Sequence, residues 1–137
     1  MEDIVVDSNI LIASFLDFDT LHERSQPYIV GLENESYTFH LPMIVIVGTI
    51  SALSRRPISN RLALLARANR SLRDWEESGR ISLYPLDQER LNRSLTVAQR
   101  DRLRGADSVV AALAEELTIP LKTFDEDNLS KFSQAST

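Results

Sequence analysis

The chain has 137 residues, 43% hydrophobic and 26% charged, which suits one soluble globular domain with a real core and leaves no room for two. It has no cysteine, which excludes disulfides and thiolate-bound zinc and is compatible with a reducing cytoplasm. The net charge of −5 conceals a division: Arg55 to Arg104 holds twelve arginines against six acids, while the flanks hold three basic residues against fourteen acids.

In chain order, Met1-Glu2-Asp3 lacks the basic, apolar profile of a secretory signal, and no apolar run approaches the ~20 residues that span a bilayer. A cytoplasmic protein that does not contact membrane is expected. Ile4–Asp7 reads as a short buried strand, followed by a helix from Asn9 to Leu16 opened by Ser8 or Asn9. Thr20 to Leu32 reads as a second helix, with Thr20 as N-cap, Glu23 at capping-box spacing and Pro27 as a point where it kinks or ends early. Tyr37–Leu41 has the aromatic and β-branched content of a strand. Pro42 to Ser54 is apolar enough for either element; its length and Pro42 at the first helical position favour helix.

Ser59 to Glu77 has the clearest helical period, with Leu65, Ala68, Leu72 and Trp75 on one face and Arg67, Arg70 and Arg73 on another. Gly79 ends it. Ile81–Leu83 follows as a brief strand, then a polar helix from Asp87 or Gln88 to Leu103, and an alanine-rich one from Asp107 to Leu117. Ile119–Phe124 reads as a strand interrupted near its start by Pro120. Asp125 opens a last short helix, and Gln134–Thr137 is expected to fray. Strands alternating with helices imply a three-layer α/β/α sandwich around a small, mostly parallel sheet, as one domain over residues 1–137.

Three aspartates stand where strand gives way to helix: Asp7, Asp107 and Asp125. In an open α/β sheet the strands' carboxyl ends converge on one crevice, so distant carboxylates can meet there. Gathered carboxylates repel one another unless a hard cation, Mg²⁺ or Mn²⁺, lies between them. Each also has a plain structural alternative: Asp7 as a helix cap, Asp107 in a first turn favoured by the helix dipole, and Asp125 as a cap or Asx-turn. Thr123 and Ser8 are candidates for hydroxyl contacts in the same crevice, and Asp127 is a weaker ligand candidate. His22 and His40 stand at no metal-ligand spacing, and His22 is expected on a helix surface. The basic middle suits a polyanion, because arginine grips phosphate with two parallel hydrogen bonds; ordinary ion pairs on exposed helices are the alternative.

Three blocks carry a resemblance: Val5-Val6-Asp7-Ser8-Asn9-Ile10-Leu11-Ile12, then Leu103-Arg104-Gly105-Ala106-Asp107-Ser108-Val109-Val110-Ala111-Ala112-Leu113-Ala114, then Pro120-Leu121-Lys122-Thr123-Phe124-Asp125. Together they resemble the PIN-domain family, most closely the VapC-type toxin nucleases of toxin–antitoxin modules. The resemblance implies an acidic pocket binding Mg²⁺ or Mn²⁺, with Asp7, Asp107 and Asp125 on the family's acidic positions. It further implies a ribonuclease that cuts structured RNA, often as a homodimer, inhibited by a small antitoxin.

One position departs from the pattern. The family usually places a glutamate about one and a half helical turns after the proline that opens the third helix, and here Gly48 stands there. No acid occurs from Ser36 to Arg73 to replace it. Close helix–strand packing would favour glycine at this point; the alternative is a change that weakens or abolishes cleavage. Two rival readings follow. One is a non-catalytic module of the same fold that binds RNA or antitoxin, favoured by Gly48. The other is a receiver-like signalling domain, disfavoured because only Asp7 ends the first strand and no mid-chain strand ends in aspartate.

Overall fold

Ile4, Val5 and Val6 are all fully buried, which a strand achieves only when both faces of its sheet are covered. In the computed structural model, which describes residues 1–137, they belong to strand β1 (Glu2–Val6) at the centre of a five-stranded sheet. The sheet order is β3-β2-β1-β4-β5, with β2 at Tyr37–Pro42, β3 at Ile81–Tyr84, β4 at Leu121–Lys122 and β5 at Ala135–Ser136. All four ladders are parallel.

Helices α1 (Ser8–Phe15) and α2 (His22–Glu33) join β1 to β2, and α3 (Met43–Ser54) and α4 (Arg61–Glu77) join β2 to β3. Right-handed crossovers running outward from β1 to β3 put these four on one face, where α1 packs on α2 and α3, and α3 on α4. The return from β3 to β4 crosses the other face through α5 (Gln88–Asp101) and α6 (Gly105–Leu117), which pack on each other and, through α6, on β1 and β2. Helix α7 (Glu126–Lys131) joins β4 to β5. The expected three-layer sandwich is present, with one continuous core cluster of 25 buried residues running through it. No helix is long and apolar enough to cross a membrane.

Several local expectations change. Helix α2 begins at His22, and Leu21 takes the cap position without a side-chain cap; the nearby side-chain acceptor is Asp19 and not Thr20, its Oδ1 accepting from the Leu21 N–H at 2.8 Å. Pro27 is held inside α2, which runs on to Glu33. Pro42 is the N-cap of α3 in extended backbone and not its first residue. Helix α6 starts at Gly105, before Asp107, with Arg104 as its cap. The strand expected over Ile119–Phe124 shrinks to Leu121–Lys122, flanked by Pro120, which has no N–H to give to a ladder. Instead of fraying, Ala135–Ser136 forms the parallel edge strand β5. Gln134 secures it, its Nε2 donating to the carbonyls of Ala114 and Ile119 at 3.0 and 2.9 Å.

Candidate metal centre

The strand order reverses at β1, whose neighbours β2 and β4 carry the chain away in opposite directions, and ligand crevices of open α/β sheets form at such a point. Val6 pairs with Lys122 there, so the residues leaving β1 and β4 are neighbours, and the Asp7 N–H donates to the Lys122 carbonyl at 3.0 Å. Asp7 caps α1: its Oδ1 accepts from the Ser8 N–H at 2.8 Å. Its other oxygen is turned inward, accepting from Thr123 Oγ1 and from Asn128 Nδ2, both at 3.0 Å. Capping and a place in the crevice are therefore compatible, each using one oxygen of the same carboxylate.

A second tier of bonds fixes this arrangement. Asn9 Nδ2 donates to Thr123 Oγ1 at 3.1 Å, the Asp125 N–H donates to the same oxygen at 3.0 Å, and Asn9 Oδ1 accepts from the Phe124 N–H. Thr123 is thus the hub that ties the end of β1 to the end of β4. Asp125 caps α7 through Oδ1, which accepts from the N–H groups of Asp127 and Asn128. Its Oδ2 faces Arg104 Nη2 at 3.3 Å, and Arg104 Nε lies 3.5 Å from Asp107 Oδ2.

The electrostatics follow from burial. Asp7 is 5% exposed, and loss of water pushes its carboxyl above the usual carboxylate range. The negative charge of Asp107 pushes the same way, against the hydrogen bonds from Thr123, Ser8 and Asn128, which favour the ionised form. Asp107 and Asp125 keep more water, with side chains 17% and 25% exposed.

The three aspartates are linked as two pairs: Asp7 feels the charge of Asp107, and Asp107 and Asp125 share the Arg104 guanidinium. No three His, Asp or Glu side chains are grouped closely enough to hold an ion as they stand. The physical reason is on hand: like charges separate unless a cation intervenes, and here the cation between Asp107 and Asp125 is an arginine. The donor set still fits a hard divalent ion. Every donor is oxygen, and Mg²⁺ keeps several waters while taking only one or two carboxylates directly. Asn128 Oδ1, next to Asp7, is the one buried side-chain polar atom without a hydrogen-bond partner, the kind of acceptor a water of hydration satisfies.

Of the remaining candidates, only Ser8 and Asp127 touch this cluster, and through their backbone. Asp127 pairs with Lys131 at 3.0 Å along α7. Ser8 contributes its backbone N–H to Asp7. His22 is not on an open helix surface; its Nδ1 meets the Ala13 carbonyl at 2.8 Å. His40 lies between Asp3 and Tyr84, at 2.9 and 2.7 Å. Gly48 is exposed in mid-α3, and a Cβ built there meets no atom within 4 Å, so close packing does not require the glycine. Sequence reasoning missed Asn9, Asn128 and the bridging part of Arg104.

The arginine-rich middle divides. Arg56, Arg80, Arg90, Arg93, Arg100 and Arg104 are engaged in ion pairs, as the ordinary alternative expects. Arg61, Arg70 and Arg73 are exposed along α4, and Arg67 donates to the Phe15 carbonyl at 2.9 Å.

A family model described as PIN domain matches residues 4–135. No curated protein gave a match by sequence. Among solved structures, FitAcB from Neisseria gonorrhoeae is similar at TM-score 0.74 and 16% identity, covering 96% of this chain and 94% of that one. VapC20 of Mycobacterium tuberculosis, described as a Sarcin-Ricin loop cleaving toxin, is similar at TM-score 0.73 and 15% identity, covering 98% and 99%. A toxin–antitoxin complex from Klebsiella pneumoniae is similar at TM-score 0.69 and 15% identity, covering 98% and 96%.

Proposed function

The chain belongs to the PIN-domain family, and from that premise we propose that it is a Mg²⁺- or Mn²⁺-dependent endoribonuclease of a toxin–antitoxin module, with turnover lowered by Gly48. The observation that carries the reading is the linkage of three aspartates from different elements, Asp7 to Asp107 by charge and Asp107 to Asp125 through Arg104. Capping and turn-making would not by themselves need these carboxylates linked in this way. The resemblance to proteins described as a Sarcin-Ricin loop cleaving toxin and as toxin–antitoxin complexes supports RNA as substrate and a small antitoxin as partner. A homodimer in the cytoplasm belongs to the same reading.

In it, Asp7, Asp107 and Asp125 hold the ion, directly or through its waters. A divalent ion bound there supplies a lowered pKa for attacking water and polarises the phosphate. Thr123 and Asn128 hold the inner oxygen of Asp7, so the carboxylate keeps one orientation while charge changes around it. Arg61, Arg70 and Arg73 on α4 offer free guanidinium groups for the RNA backbone. Gly48 leaves the site one negative charge short, which weakens the hold on a second ion.

The test is cleavage of a structured RNA by purified protein with Mn²⁺, with Mg²⁺ and with a chelator. Slow, metal-dependent cleavage is expected, lost more than about tenfold in each of Asp7→Asn, Asp107→Asn and Asp125→Asn, since an interaction worth ~1.4 kcal/mol in the transition state is tenfold in rate. Cleavage that persists in chelator, or that ignores all three substitutions, contradicts the reading. A second reading, the non-catalytic binding module, is favoured by Gly48 alone. Tight RNA or antitoxin binding with no cleavage in Mn²⁺ would select it.

A further inference from the structure

We propose that Arg104 is an internal competitor for the metal: its guanidinium occupies the cation position between Asp107 and Asp125, and a divalent ion must displace it. The inference rests on the reading of these aspartates as ligands and adds a residue outside the acidic set.

Arg104 is well placed to do this. It is the N-cap of α6, in extended backbone, three residues before Asp107, so its side chain reaches Asp107 along the first turn of its own helix. The same guanidinium crosses to Asp125 at the start of α7, twenty-one residues on. It therefore joins carboxylates from two different elements, using Nε toward one and Nη2 toward the other. A planar fork with five fixed donors can hold two carboxylates at once, whereas an ammonium is a single point of charge.

The contacts are loose for charge-assisted bonds, at 3.5 and 3.3 Å against the ordinary 2.7–2.9 Å of such pairs. The side chain is 74% exposed, so water screens the pairing and the arm can leave without opening a cavity. By contrast, Arg100 is clamped by Asp101 and Glu115 at 2.7 and 2.6 Å. Arg104 thus balances part of the acidic charge in the metal-free protein, yet is held weakly enough to be displaced. Once displaced, it stands at the rim of the crevice as a free guanidinium, matched in shape and charge to a phosphate.

Two other functions for Arg104 lead to different results. If it were a tether that holds the two aspartates in place, its loss would loosen the site and weaken metal binding. If it acted only through its charge, any neighbouring arginine would do the same. Competition alone gives tighter binding that is specific to this residue.

The experiment is a Mn²⁺ titration of the metal-stripped full chain, read by the EPR signal of free Mn²⁺, for wild type, Arg104→Gln, Arg104→Lys, Arg102→Gln and Asp107→Asn. Far-UV circular dichroism accompanies it. Arg102 is exposed in the same loop, so its variant removes the same charge without removing the bridge. Arg104→Gln is expected to bind Mn²⁺ at least about fivefold more tightly than wild type, a factor corresponding to ~1 kcal/mol, with Arg104→Lys in between and Arg102→Gln within about twofold. Should Arg104→Gln fail to fold, the lysine variant, which keeps one contact, carries the comparison. Equal tightening in the Arg102 and Arg104 variants overturns the proposal, as does unchanged or weaker binding in Arg104→Gln. In both cases the metal reading survives if Asp107→Asn loses the ion. If wild type and Arg104→Gln bind no Mn²⁺, or if Asp107→Asn binds it as well as they do, the metal reading itself falls and takes the competitor with it.

Discussion

Gly48→Glu changes one residue and has two readouts that fail independently. A Cβ at position 48 meets nothing within 4 Å, the residue is exposed, and its backbone is ordinary helix in the middle of α3. A side chain is therefore sterically free there. Glycine in a helix interior is about 1 kcal/mol worse than alanine, and glutamate lies between the two, so the helix gains about 0.5 kcal/mol. For a chain of this length that is roughly 1–2 °C in Tm. Against it, on the proposed reading of position 48 as part of the acidic site, stands the repulsion of one more carboxylate, which a divalent ion removes. The variant is thus expected to match or fall below wild type in chelator and to exceed it in saturating Mn²⁺, with metal-dependent RNA cleavage raised at least about tenfold, or ~1.4 kcal/mol in the barrier. Differential scanning fluorimetry and a single-turnover cleavage assay supply the two numbers. A gain in Tm with unchanged cleavage would show that the missing carboxylate does not limit turnover. A Tm lowered by several degrees even in Mn²⁺ would refute the claim that position 48 is open.

Three further outcomes follow from other parts of the structure. A carboxyl whose pKa is raised by folding holds its proton more tightly in the folded state, so between the ordinary carboxylate range and the raised value of Asp7 the metal-free protein loses stability as pH rises. Asp7→Asn cannot ionise and is expected to flatten that decline, read as Tm against pH in chelator; an unchanged slope would place the pH dependence elsewhere. RNA binding is expected to weaken as salt rises, and Arg70→Gln and Arg73→Gln to reduce the slope by about one unit each in filter binding; a flat curve removes α4 from the interface. Gly31→Ala drives a Cβ into the ring of Tyr37 and is expected to cost about 1–3 kcal/mol in urea unfolding, whereas wild-type stability would mean that the ring moves aside freely.

What the sequence made legible depended on period and on punctuation. Helix α4 could be read because Ala68 and Leu72 recur on one face and are in fact buried, and β1 because three consecutive apolar residues precede Asp7. The carboxylate positions could be read in part from punctuation: Asp7 and Asp125 follow strands and cap helices as expected, whereas Asp107 follows helix α5 and not a strand, and lies in the first turn of α6. The rest was carried by contacts between residues far apart in the chain. Strand β5 has no apolar run of its own; it exists because Gln134 bonds to the α6–β4 connection and the Thr123 N–H donates to the Ser136 carbonyl at 3.0 Å. Asn9 and Asn128 gain importance only through partners more than a hundred residues away, Thr123 and Asp7. Arg104 stood in the sequence as one basic residue among twelve, and only the fold sets it between two aspartates. Gly48 was legible as a gap, but the open space around it was not.

A crystal grown with Mn²⁺ and measured at the manganese absorption edge bears most directly on whether these aspartates hold an ion. The expected anomalous map has a peak in the β1/β4 crevice with oxygen ligands from Asp7 and Asp107, Asp125 reaching it directly or through water, and Arg104 turned away from both of its present partners. A map with no peak there at saturating Mn²⁺, the guanidinium still bridging Asp107 and Asp125, would contradict it.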